Sequence, residues 1–171
     1  MTACEDIPDT VEITEQRELC QFDKGEVYRL NFNFLQATQP LEWRRLSRMK
    51  FRDLNYSAGK TVEISVLAEA TGTVLENFNR WVKDQFGQQQ LPSLATSPRV
   101  EMMGGSGYVL EVTGTFQGKP GYALIGAIVE REDGRLLTVK MTGERSEVLA
   151  EKERFLKFIT TLRTAKLEEA E

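Results

Sequence analysis

Apolar and polar residues alternate with period two in several separate stretches of this chain, and recur at helical spacing in two others. From Glu26, the residues Tyr28, Leu30, Phe32 and Phe34 alternate with Arg29, Asn31 and Asn33, the pattern of one strand with a single buried face. Met49 and Phe51 alternate with Arg48, Lys50 and Arg52, and Val62, Ile64 and Val66 with Glu63 and Ser65. Joined through the turn-forming residues 55–60 (NYSAGK), these two strands make a hairpin with Phe51 against Ile64, Met49 against Val66 and Arg52 against Glu63.

Thr73-Val74-Leu75-Glu76 is a capping box, in which a hydroxyl and a carboxylate satisfy the first orphan amides of a helix. Val74, Leu75, Phe78, Trp81, Val82 and Phe86 then form its apolar stripe, and Gly87 closes it. Phe78 and Trp81 belong to the core on this spacing. Asn77 and Asn79 flank the stripe, within reach of loop backbone, and Arg80 points away from it. Residues 88–106 read as a loop with a short strand over Arg99–Met103 and with Gly104-Gly105-Ser106-Gly107 as a mobile connector.

Two long strands follow, Tyr108–Phe116 and Tyr122–Val129, with residues 117–121 turning between them. The second, YALIGAIV, is apolar on both parities and so belongs in mid-sheet with both faces covered. Residues 131–135 (REDGR) make the next turn, and Leu136–Met141 a strand facing inward with Leu137, Val139 and Met141. A last helix starts between Thr142 and Ser146; its buried stripe is Val148, Leu149, Phe155, Leu156, Ile159 and Leu162, with Glu151, Lys152, Arg154 and Lys157 toward water. Strand following strand without regular helical crossovers predicts an α+β fold, a largely antiparallel sheet of about six strands flanked by helices in an α/β/α-type sandwich.

Composition narrows the chemistry. The 171 residues suit one domain, and a net charge of -4 gives none of the basic excess that tracks nucleic-acid phosphate, so no nucleic-acid partner is expected. The chain has no histidine, which removes imidazole acid/base catalysis, Ser-His and Cys-His nucleophiles and imidazole zinc sites. No catalytic residue, metal or cofactor is assigned. No stretch is apolar enough to span a bilayer, and as written the sequence reads as soluble, without an export signal. Residues 1–24 hold seven carboxylates against Arg17 and Lys24 and read as an acidic, flexible arm with a weak helix over Glu12–Cys20; 25–165 form one domain and 166–171 a charged tail. Cys4 and Cys20 can pair in an oxidising compartment or stay reduced, and Cys4 marks a lipid anchor only if it is the processed cysteine of a lipoprotein.

The residues QPLEW with Trp43, the run TVEISVLAEATGTVLENFNRW, and the terminal VKMTGERSEVLAEKERFLKFITTLR resemble the PsbP-like fold, also seen in the Ran-binding Mog protein, over residues 26–164. The run Asn77-x-Asn79-Arg80-Trp81 is similar to that of a group of bacterial proteins, many exported or lipid-anchored. The resemblance implies a fold, a cell-envelope location and a binding or assembly role, and carries over no catalytic residue.

Two groups remain as candidate binding residues: Asn77, Asn79 and Arg80, and a basic run of Arg44, Arg45, Arg48, Lys50 and Arg52, in which the last three share the solvent face of the expected strand. Gly104–Gly107 is no phosphate loop, because it leads into a strand without a helix N-terminus. The acidic turn around Glu130, Glu132 and Asp133 lacks calcium-loop spacing. The expected function is a noncatalytic module binding a protein partner. Its alternatives are an electrostatic binder of anionic surfaces through Arg44–Arg52, toward which the acidic arm can also fold back, and an enzyme using carboxylates or lysine.

Overall fold

The computed structural model describes residues 26–30, 33–47 and 49–164. The acidic arm 1–24 with both cysteines and the helix expected at Glu12–Cys20, Arg48, and the tail 166–171 lie outside the described residues.

The strands are β1 (Glu26–Leu30), β2 (Asn33–Ala37), β3 (Arg44–Arg45), β4 (Leu54–Ala58), β5 (Val62–Ala70), β6 (Arg99–Met102), β7 (Gly105–Phe116), β8 (Lys119–Glu130), β9 (Leu136–Glu144) and β10 (Arg163–Thr164). Helix α1 (Val74–Asn79) continues as a π-helical segment, Arg80–Gln85, and α2 spans Arg145–Thr161. Seven strands form an antiparallel sheet in the order β3-β4-β5-β9-β8-β7-β6, and β1, β2 and β10 form a second, three-stranded sheet. The expected α+β sandwich is present.

Its layers follow from the parity of each strand. Tyr56, Ile64, Val66, Ile125, Leu137, Val139 and Met141 point to one face and pack with Val148, Phe155, Phe158 and Ile159 of α2. Leu110, Val112, Leu124, Ile128 and Leu136 point to the other and pack with Val74, Phe78, Trp81, Val82 and Phe86. A register shift between Leu67 and Ala70 in β5 moves Ala70 into the second cluster. As YALIGAIV implied, Ala123 to Val129 of β8 are all buried.

Several expectations are corrected. The stretch from Glu26 is a hairpin, not one strand: β1 and β2 pair with Glu26 opposite Ala37, and the side chains of the expected buried face at Tyr28, Leu30, Phe32 and Phe34 lie outside the described residues. The partner of β5 is β4, with Leu54 opposite Val66 and Tyr56 opposite Ile64, so the strand sits five residues further along than the alternation at Met49 and Phe51 suggested. Asn55-Tyr56-Ser57 is therefore mid-strand, and the turn is at Gly59-Lys60-Thr61, with Gly59 at φ +58°. Leu54, Tyr56 and Ala58 fill the core that Met49 and Phe51 cannot reach.

On α2, Leu149 is 47% exposed and Phe158 takes the place expected for it in the buried stripe. Gly104–Gly107 is not a connector but the turn into β7 and its first residues: Gly104, exposed at φ +75°, turns β6 into β7, and Gly107 is buried where an added Cβ would lie 2.7 Å from Met102 Sδ. The turn between β7 and β8 contracts to Gln117-Gly118.

Candidate functional site

The capping box forms as its sequence dictates. Thr73 Oγ1 accepts from the Glu76 amide at 3.2 Å, and Glu76 accepts from the Thr73 amide at 2.7 Å. These bonds hold the Glu76 carboxyl below its ordinary range, the Thr73 amide being the main cause. Beyond Asn79 the helix widens into π winding, which keeps Trp81, Val82 and Phe86 buried and brings Gln85 toward the sheet. Gly87, at φ +63°, closes the segment.

Trp81 lies on Gly126 of β8, where an added Cβ would sit 2.3 Å from indole Cζ3. The glycine inside YALIGAIV is thus the seat of the tryptophan. Asn77 is buried and donates from Nδ2 to the carbonyls of Thr71 and Thr73, both at 2.9 Å. Asn79 holds Leu91 twice, accepting from its amide at 2.6 Å and donating to its carbonyl at 3.1 Å. Both asparagines anchor loops. Arg80 is exposed; it donates to Asn77 Oδ1 at 3.5 Å, and its charge also helps lower the Glu76 carboxyl.

Trp43 is buried among Tyr56 and Phe158, and its indole N–H donates to Glu151 at 2.9 Å. Arg154 clamps Glu151 at 2.6 Å and Glu42 at 3.2 Å, fastening the QPLEW loop to α2.

The basic run does not share one strand face. Arg44 and Arg45 lie exposed on the short edge strand β3, while Met49 to Asp53 form a tight connection in which Phe51 adopts φ +62°. Phe51 is 73% and Met49 55% exposed, Lys50 lies over the Phe51 ring at 5.1 Å, and Arg48 lies outside the described residues. The expected Arg52–Glu63 pair exists at 2.9 Å, reached from this loop rather than across a ladder, because Glu63 sits opposite Ser57.

One residue that the alternation pattern passed over stands on the same side. Val139 and Met141 face α2, so Lys140 between them faces the α1 layer. Its Nζ donates to Gln85 Oε1 at 3.3 Å and lies 5.9 Å from the Trp81 ring centroid, and its register partner on β5 is Ser65. Burial lowers its pKa to about 8; the Arg52 charge acts in the same direction and Glu63 opposes it. Among the described residues no carboxylate forms an ion pair with Lys140, since Glu63 is taken by Arg52. The signal for it was a lone lysine inside a strand otherwise buried from Leu136 to Met141.

No protein-family model matches this sequence, and no curated protein matches it by sequence. In three dimensions the chain has a PsbP-like fold. It is similar to the solution structure of the cyanobacterial PsbP protein CyanoP from Synechocystis sp. PCC 6803, with a TM-score of 0.56 and 15% identity over 82% of this chain and 92% of that one. It is also similar to LpqN, a protein involved in cell envelope biogenesis of Mycobacterium tuberculosis, with a TM-score of 0.52 and 11% identity over 83% of this chain and 86% of that one. Among the described residues no helix is long and apolar enough to cross a membrane.

Proposed function

We propose that this chain is a noncatalytic binding module that engages a protein partner in the cell envelope. The observation that carries this reading is the Met49–Arg52 connection, a turn with Phe51 in the left-handed region that holds a phenylalanine and a methionine out of the core, beside the cationic edge of Arg44 and Arg45. Exposed apolar side chains grouped with cations are a surface composed for contact rather than for folding. The envelope setting is supported by the likeness to LpqN. Asn77 and Asn79 serve the fold in this reading, and Arg80 is the member of its motif available to a partner.

The test is recovery of partners from an envelope fraction with the full chain and with the double variant M49S/F51S, quantified at low and high salt. Both positions are exposed, but Met49 Sδ accepts from Asn55 Nδ2 at 3.5 Å, so thermal unfolding of the double variant and of F51S alone is measured alongside. A protein recovered by the wild-type chain at high salt and lost with the double variant is the expected result. Recovery that is indifferent to the double variant refutes the assignment. The electrostatic reading rests on Arg44, Arg45 and Lys50, and predicts instead recovery abolished by salt and by R44E/R45E.

A further inference from the structure

We propose that Lys140 is the seat of a phosphate-bearing ligand, held on the α1 side of the sheet with Gln85 and Arg52 as its neighbours. The proposal goes beyond the protein-partner reading and is tested independently of it. Lys140 projects from a central strand onto a face where burial penalises its charge, and Gln85 satisfies one of its three N–H donors. A half-buried ammonium with no carboxylate in ion-pair contact, Glu63 being held by Arg52, can take up an anion, because an arriving oxyanion recovers desolvation already spent on the cation.

The neighbouring charges decide which anion. Arg52 presents Nη1 to Glu63 and to Asn55 Oδ1, at 2.9 and 3.2 Å, which leaves its other N–H groups free of those two bonds. Lys140 and Arg52 come from separate elements on either side of β5, and with Glu63 they leave the cluster with one positive charge in excess. A tetrahedral group with three free oxygens can accept from donors converging from two directions, whereas a carboxylate offers two oxygens in one plane. The Met49–Phe51 surface beside Arg52 suits the apolar remainder of a phosphate ester. A soluble phosphomonoester and a phospholipid headgroup present the same chemistry.

The test uses the full chain with 13C-labelled lysine. Inorganic phosphate replaces chloride at constant ionic strength and pH 7 while the Lys140 side-chain resonance is followed. The expected result is a saturable shift at pH 7 and, in pH titrations run with and without phosphate, a midpoint raised from about 8. Ser65→Asp, which places a carboxylate opposite Lys140, removes the response and keeps the fold; in Lys140→Met the accompanying shift of the Trp81 indole signal disappears. A second arm sediments the protein with phosphatidylglycerol or phosphatidylcholine vesicles. Lys140-dependent binding to the first alone identifies a headgroup ligand, and a phosphate response without vesicle binding identifies a soluble ester; either upholds the site. An unmoved Lys140 signal, or an indole shift that persists in Lys140→Met, overturns it.

Discussion

Replacing Lys140 by Met should stabilise the protein at neutral pH. The methionine keeps an unbranched apolar stem against Trp81 and removes the charge. Lysine in the unfolded chain titrates near about 10.4, whereas Lys140 in the folded protein titrates at about 8. Below pH 8 both states hold the proton, and the folded state bears the full cost of burying it. Between the two values the folded state has lost the proton and the unfolded state still binds it, so stability rises with pH. At about 1.4 kcal/mol per pH unit the gap corresponds to roughly 3 kcal/mol as an upper bound. Losing the bond to Gln85 takes back about 1 kcal/mol, so Lys140→Met should gain about 1–2 kcal/mol at pH 7. The assay is urea unfolding of both proteins at matched pH from 7 to 10. The gain should shrink above pH 8, reach zero at about pH 9 and turn into a small loss by about pH 10, where the Gln85 bond alone distinguishes the two proteins. A variant less stable at pH 7, or a difference that does not change with pH, refutes the reasoning and with it the uncompensated charge on which the phosphate site depends.

Gly126→Ala should cost about 1–3 kcal/mol and shift tryptophan emission, since its methyl occupies the place of indole Cζ3; thermal unfolding with fluorescence checks this, and an unchanged melting temperature contradicts the seating of Trp81. Asn79→Ala removes both bonds to Leu91 and should cost about 1–3 kcal/mol, with faster amide exchange around Leu91, while Arg80→Ala should stay within about 0.5 kcal/mol of wild type. Glu147 accepts from the amides of Lys60 and Thr61, at 3.1 and 2.8 Å, which holds its carboxyl below the ordinary range, the Thr61 amide contributing most. Its contribution is therefore present above the unfolded carboxylate value near about 4.3 and is lost as pH falls through the lower folded value, so Glu147→Gln should flatten the acid limb of stability against pH.

The sequence was most informative where structure is local. The capping box needs only Thr73 and Glu76, and α1 begins where they place it. The two-sided burial of β8 is written in an unbroken apolar run. The β4 register was misread because Met49 and Phe51 alternate as well as Leu54, Tyr56 and Ala58 do, and alternation alone does not say which set the core admits. The deciding feature is tertiary: Tyr56 completes an aromatic cluster with Trp43 and with Phe158, the latter more than a hundred residues along the chain. The roles of Asn77 and Asn79 followed from their place beside the stripe, whereas Lys140 became visible only once β9 was flanked on both sides and the π-helical segment brought Gln85 over it.

A photo-crosslinking residue at position 51 of the full chain, compared with one at the exposed β7–β8 turn residue Gly118, measures the claimed binding surface in the envelope itself. A discrete protein adduct at position 51 that persists at high salt and is absent from position 118 is what the binding-module account predicts; equal labelling at both positions, or none at 51, contradicts it.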